Sequence, residues 1–248
     1  MNTSQNVFPS ESAKNLKPWV RVANTCIQYM IYDLLGGPKL IKANTIIRIQ
    51  GYTQCLFGLW ALIYVQSLSA PIIAMFVMLF AHEIMWQMKI QFFPDRSWEK
   101  KATPSSIVVW IFYLLALWTL PFYLILGVVH PEYPLPTTYW TILCGTLFCL
   151  GLILNVASDA HKNLILLDRD GLISNGLFGL VRQPNYLGQI LMYVAMLLLD
   201  LHWVPTLAFG IFLFIAIVNI QVKEASIKRH KGWADYSRNT KMIIPWIF

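Results

Sequence analysis

Six apolar runs constrain this chain more than any other feature. They cover roughly residues 50–67, 70–93, 105–129, 138–158, 186–202 and 204–222. A segment of about 20 apolar residues crosses about 30 Å of hydrocarbon. Lipid offers no partner for a backbone amide, so each run must satisfy its own amides as a helix. The fifth and sixth runs nearly touch at His202-Trp203-Val204-Pro205, which predicts a helical hairpin. Residues 18–36 are also apolar, but Arg21, Asn24, Gln28 and Asp33 interrupt them. They read as an interfacial helix or a seventh, poorer span. The expected fold is an all-α polytopic membrane bundle of 6–7 transmembrane helices.

Composition supports this class and excludes others. Hydrophobic residues make up 57% of the 248 and charged residues 12%. A soluble domain has about 25% charged residues, so a disordered chain, a coiled coil and an ordinary water-soluble enzyme are excluded. The net charge of +7 would point to nucleic acid in a soluble protein. Here no Lys or Arg falls in the expected outer connections 68–69, 130–137 and 203. The basic residues gather on the opposite face, which follows the positive-inside rule. The C-terminus and both charged loops are therefore expected to be cytoplasmic, with the N-terminus beside them unless 18–36 crosses. The bilayer is a bacterial inner membrane or the endoplasmic reticulum. The expected partners are membrane lipids and a lipophilic small molecule, with no nucleic acid and no protein partner identified. Cys26, Cys55, Cys144 and Cys149 form no C-x-x-C, and no histidine follows at a zinc spacing. Neither a disulfide framework nor a metal site is expected. The first residues are polar and lack the apolar core of a secretory signal.

Three regions follow: an N-terminal segment 1–49, substrate-pocket helices 50–138, and a cofactor-binding region 139–248. Polar residues concentrate in the third. The loop 159–185 carries Asp159, His161, Lys162, Asp168, Arg169, Asp170, Arg182, Gln183 and Asn185. The tail carries Lys223, Glu224, Lys228, Arg229, His230, Lys231, Asp235, Tyr236, Arg238 and Lys241. Together they can form a basic pocket for a charged ligand, or two solvated segments that meet lipid headgroups. Arg182 offers a fixed cation to a phosphate or carboxylate. Pro184 and Asn185 can start the next helix, whose free amides favour an anion. Tyr186 and Gln189 lie about one turn along it.

These blocks resemble the steroid 5-alpha-reductase and sterol-reductase superfamily, in particular its bacterial steroid-reductase-like members. That superfamily is related in fold to isoprenylcysteine carboxyl methyltransferases. Asn155-Val156-Ala157-Ser158-Asp159 resembles N-x-x-S-D, and Asp159-Ala160-His161-Lys162 resembles D/N-x-x-K. Gly176-Leu177-Phe178, Val181 and Asn185-Tyr186-Leu187-Gly188 resemble G-L-F-x-x-V…N-Y-x-G-E, with Gln189 at the carboxylate position. Trp233…Tyr236 and Ile243-Ile244-Pro245-Trp246-Ile247-Phe248 resemble the W-x-x-Y…I-I-P-[FY]-x-[FY] terminus. The resemblance covers roughly 140–248. It implies NADPH bound on the cytoplasmic side by Asn155, Asp159, Lys162, Arg182, Asn185, Tyr186 and Tyr236, with Gln189, Glu224 and Arg229 as further candidates. It implies reduction of a C=C bond conjugated to a carbonyl in a steroid-like or prenyl-like substrate. The alternative is an S-adenosylmethionine-dependent methyltransferase of the isoprenylcysteine or phospholipid kind, since Arg182-Gln183-Pro184-Asn185-Tyr186-Leu187-Gly188 also resembles R-H-P-x-Y-x-G. A lipid-binding scaffold without chemistry is a third class.

The second apolar run holds His82 and Glu83, then Trp86, Gln87 and Lys89. An intramembrane carboxylate is expensive and usually faces the bundle interior with a partner. Glu83 and Gln87 share one helix face. Glu83 and His82 are the expected catalytic pair, a protonated carboxyl steadying a ketone as it becomes an enolate. The bland alternative is a pair that only locks helices together.

Overall fold

The computed structural model describes residues 16–65, 68–168 and 171–244. Arg169, Asp170 and the terminal Pro245-Trp246-Ile247-Phe248 lie outside the described residues, as do residues 1–15. The described residues are mostly helical. In order come α1 (Pro18–Gln28), a π turn (Tyr29–Asp33), β1 (Ile41–Lys42), α2 (Ala43–Tyr64), α3 (Ala70–Phe92), a 3₁₀ turn (Arg96–Glu99) and β2 (Lys101–Ala102). Then follow α4 (Pro104–Ile125), α5 (Thr137–Asp168), α6 (Leu177–Leu180), α7 (Pro184–Asp200), α8 (Trp203–Ile227) and α9 (Trp233–Asn239).

Four of these, α3, α4, α5 and α8, are long and apolar enough to cross a membrane. Their outer faces remain apolar: Val77, Phe112, Ile142, Ile153 and Leu207 stand exposed. In water so many exposed apolar side chains would drive association; among lipid tails they cost nothing. The chain is an integral membrane protein.

Prolines mark the helix starts, where a missing N–H is harmless. Pro71, Pro104 and Pro184 occupy first-turn positions. Thr103 caps α4 by accepting from the Ser106 N–H, and His202 Nδ1 caps α8 by accepting from Val204 N–H. Between α7 and α8 the backbone turns at Leu201, at φ 49°.

Several boundaries differ from the hydropathy reading. The segment expected as a loop from 159 is helical to Asp168, and α2 starts at Ala43 rather than 50. Hydropathy marks where polar side chains begin, and helices with good helix formers such as Ala160, Lys162, Leu164 and Leu166 continue past that point. Residues 18–33 form α1 and its π turn, about 24 Å at 1.5 Å per residue, and this segment is not among the four long apolar helices. Its buried Val20 and Ile27 pack on Val218 and Val222 of α8.

The closest packing joins α5 to α7. A Cβ on Gly151 would stand 2.6 Å from the Gly188 carbonyl oxygen, and one on Gly188 would stand 2.6 Å from the Asn155 nitrogen. The two backbones touch because neither glycine has a side chain. Small residues permit this approach in membrane bundles. One short antiparallel ribbon, Ile41↔Ala102 and Lys42↔Lys101, closes the polar end beside α2 and α4.

Candidate active site

Three groups of polar side chains stand on the frame set by the α5–α7 crossing. The first lies where α3, α5, α7 and α8 meet. Asn155, buried on α5, donates from Nδ2 to the Asn185 carbonyl at 2.7 Å. Its Oδ1 accepts from Lys89 Nζ at 2.8 Å. The amide orientation is unambiguous, since an ammonium only donates and a carbonyl only accepts. Lys89 also pairs with Asp159 Oδ2 at 2.6 Å, and both side chains are largely buried. Lys162 and Lys223 lie within electrostatic reach of Asp159 and Asp95. The Lys223 ammonium sits 4.8 Å from the Tyr186 ring centre. Burial pushes Asp95 up, but the Lys223 ammonium, the Ser97 N–H, the Lys162 ammonium and the Ser97 hydroxyl together hold its carboxyl below the usual range. Three ammonium groups against two carboxylates leave one positive charge in excess (3 − 2 = 1). That balance fits a ligand carrying phosphate.

The second group is a clasp between the loop before α7 and the C-terminal segment. Arg182 donates from Nε to Glu224 Oε2 at 2.9 Å and from Nη1 to the Thr240 carbonyl. Gln183 Nε2 donates to Glu224 Oε1 at 3.0 Å. The Arg182 guanidinium lies 5.3 Å from the Trp233 ring centre. Backbone bonds Arg182 N–H to Lys241 O and Gln183 N–H to Met242 O sew the two strands of chain together. Tyr236 donates to the Phe178 carbonyl at 2.7 Å. Burial, with Glu224 adding and Arg182 and Thr240 opposing, pushes its phenol up to about 12.

The third group is in the bundle. His82 Nδ1 and Glu83 Oε1 are 2.9 Å apart. Trp86 Nε1 donates to His82 Nε2 at 3.1 Å. Glu83 is 1% exposed, yet its Oε2 and both polar atoms of Gln87 have no hydrogen-bond partner among the described residues. They crowd against Gly51 of α2, where a side chain would collide with Glu83 Oε2 and Gln87 Nε2. The His82 ring lies 5.4 Å from that of Tyr193 on α7, and Gln189 stands beside Tyr193. A separate apolar groove of about 190 Å³ lies between α2 and α4, with Phe57, Trp118, Phe122 and Tyr123 among its walls.

The structure thus brings together Asn155, Asp159, Lys162, Asn185 and Tyr186, and separately His82 and Glu83. Arg182, Glu224 and Tyr236 are engaged with one another's segments in the clasp. Gln189 lies beside Tyr193, one turn along α7. Arg229 is exposed beyond the end of α8. Reasoning from sequence omitted Lys89 and Asp95 from the site and Gly151 from the frame, and placed Lys223 only in the general basic set of the tail. Lys89 carried a signal: a lysine near the end of an apolar helix is costly unless paired.

The C-terminal half, which holds the second group and all of the first except Lys89 and Asp95, is also where relatives align. A family model described as 3-oxo-5-alpha-steroid 4-dehydrogenase matches residues 122–248. Steroid 5-alpha-reductase DET2 of Gossypium hirsutum is 31% identical over 119 residues, which is 44% of this chain and 44% of that protein. The match therefore spans less than half of that relative's length. With more than half of its residues inside the family match, this chain belongs to the 3-oxo-5-alpha-steroid 4-dehydrogenase family.

Proposed function

We propose that the protein is an NADPH-dependent reductase of a C=C bond conjugated to a carbonyl in a steroid-like lipid. The observation that carries this reading is the unpartnered Glu83 Oε2, buried in the bundle on the same helix whose Lys89 grips Asn155 and Asp159. One helix thereby links a dry, polar spot suited to a ketone with an ammonium-rich end suited to phosphate. Family membership and the resemblance in 140–248 support the cofactor and the reaction. A prenyl-like enone is the second substrate class.

The residues present fit the dinucleotide. Lys162 and Lys223 would meet its phosphates. Asp159 and Asn185 offer hydrogen bonds to ribose and carboxamide, with Tyr186 alongside and Asn155 holding Asn185 and Lys89 in place. NADPH held by these residues would supply the hydride that reduces the substrate's β-carbon. Glu83 then serves the other end of the conjugated system. A proton on its Oε2 donates a hydrogen bond to the ketone and steadies the enolate oxygen as negative charge gathers. The α-carbon takes up a proton afterwards. The surrounding apolar helices exclude water, which strengthens each of these contacts.

Six helices, α2, α3, α4, α5, α7 and α8, are read as crossing the bilayer, with the Lys89–Lys223 end cytoplasmic. The lack of Lys and Arg in the opposite connections supports that orientation.

The test uses purified full-length protein in detergent. NADPH should raise its melting temperature, and S-adenosylmethionine should not. A 3-oxo-4-ene steroid should then drive NADPH oxidation. Glu83→Gln should lower turnover by roughly 10²–10⁴-fold while NADPH still stabilises the protein. Stabilisation by S-adenosylmethionine alone would overturn the reading in favour of methyl transfer.

A further inference from the structure

Glu83 does not hold its orientation alone. Resting on the role given to it above, we infer that Trp86 and His82 are positioning residues, which fix the carboxyl so that its free oxygen, Oε2, faces the substrate.

The order of hydrogen bonds leaves one arrangement. An indole N–H only donates. Trp86 Nε1 lies 3.1 Å from His82 Nε2, so that nitrogen offers its lone pair. The ring proton is then on Nδ1, which lies 2.9 Å from Glu83 Oε1. Oε1 is thereby an acceptor. Any proton the carboxyl carries sits on Oε2, in the space left by Gly51 and beside the unbonded Gln87 amide. The opposite histidine tautomer would set N–H against N–H at Trp86 and lose that bond, and its Nδ1 would then accept from a proton on Oε1, leaving Oε2 with no proton to donate.

Trp86 is itself held. The Lys89 ammonium sits 4.9 Å from the Trp86 ring centre, and Trp98 packs at 5.6 Å. Lys89 is anchored on α5 by Asn155 and Asp159. A chain of contacts therefore runs from Asp159, at the ammonium-rich end, to Glu83. The titratable groups facing Glu83 from neighbouring helices are Cys55 of α2 and Tyr193 of α7. Tyr113 of α4 lies by Tyr193.

The first measurement needs neither cofactor nor substrate. Nitrogen NMR of the full chain, labelled at histidine, identifies the His82 signal by its loss in His82→Asn. The expected spectrum shows Nδ1 protonated and Nε2 bare. Trp86→Phe keeps a smaller aromatic ring beneath Lys89 and removes the N–H; it should give a mixture of tautomers. The carboxyl carbonyl band of Glu83, identified in the infrared by its loss in Glu83→Gln, should shift in the same variant. A proton on Nε2 in the wild type, or spectra unchanged in Trp86→Phe, overturns the inference, and the wild-type spectrum decides even where a variant folds poorly.

Kinetics supply the second arm. With NADPH and a 3-oxo-4-ene steroid, Trp86→Phe should lower kcat roughly tenfold to a hundredfold, the scale of a small misplacement, with KM within about twofold. An unchanged kcat overturns the positioning role. A wild type with the expected tautomer but without turnover of either a 3-oxo-4-ene steroid or a prenyl-like enone overturns the reductase reading instead, so the two failures are distinguishable.

Discussion

The carbonyl oxygen of Gly188 lies 2.6 Å from the point where a Cβ on Gly151 would stand. That contact sets the distance between α5 and α7, and through it the bond from Asn155 to the Asn185 carbonyl. Gly151→Ala must therefore push two backbones apart. We expect a loss of about 1–3 kcal/mol from overpacking, read as a lower melting temperature, together with weaker NADPH stabilisation. Gly145, on the same helix, meets nothing within 4 Å, and Gly145→Ala should leave both measurements unchanged or slightly improved.

Lys89 and Asp159 form a largely buried pair at 2.6 Å. Lys89→Met removes one charge and leaves the other without its partner. The expected cost is about 3–5 kcal/mol. Adding Asp159→Asn should recover most of it, because the stranded charge is gone. Thermal unfolding of the two single variants and the double variant gives the coupling; additive losses would show that the pair does not interact as described.

Arg182 separates a structural role from phosphate binding. It donates to Glu224 and to the Thr240 carbonyl and stacks on Trp233. Arg182→Lys keeps the charge and loses the planar fork. The expected loss is about 1.5–3 kcal/mol, typical of a hydrogen bond to a charged group, along with faster proteolysis of the C-terminal segment. NADPH affinity should fall less than in Lys162→Met. An unchanged melting temperature with abolished NADPH binding would instead place Arg182 on the cofactor.

Tyr236 gives a pH signature. Its phenol titrates at about 12 when folded, against 10.0 for an ordinary tyrosine, with burial as the main cause. The raised value means that its contribution is fully present below pH 10. Between pH 10 and 12 the unfolded chain releases the proton and the folded chain keeps it, so stability falls as pH rises. Tyr236→Phe loses the bond to the Phe178 carbonyl, about 1 kcal/mol, but has no such titration. The wild-type advantage over this variant should stay constant to pH 10 and shrink above it. Melting temperatures of both proteins across pH 8 to 12 provide the check, and a gap that does not narrow would contradict the assignment.

Much of this protein is determined by local sequence. Long apolar runs give helices because an unpaired amide in lipid is too costly, and α3, α4, α5 and α8 lie where those runs predict them. The Asn155–Asp159 and Asn185–Gly188 blocks are legible because residues one helical turn apart share a face by spacing alone, and the family is read from their resemblance to its motifs. Glu83 stands out because a carboxylate inside an apolar helix is costly unless something requires it. Tertiary structure decided the partners. No spacing within α3 says that Lys89 meets Asp159 on α5, or that Arg182 turns to Glu224. Such pairings depend on which faces of two helices meet and how closely. Here two glycines far apart in the chain set that approach, and a glycine announces itself in a sequence only by what it lacks.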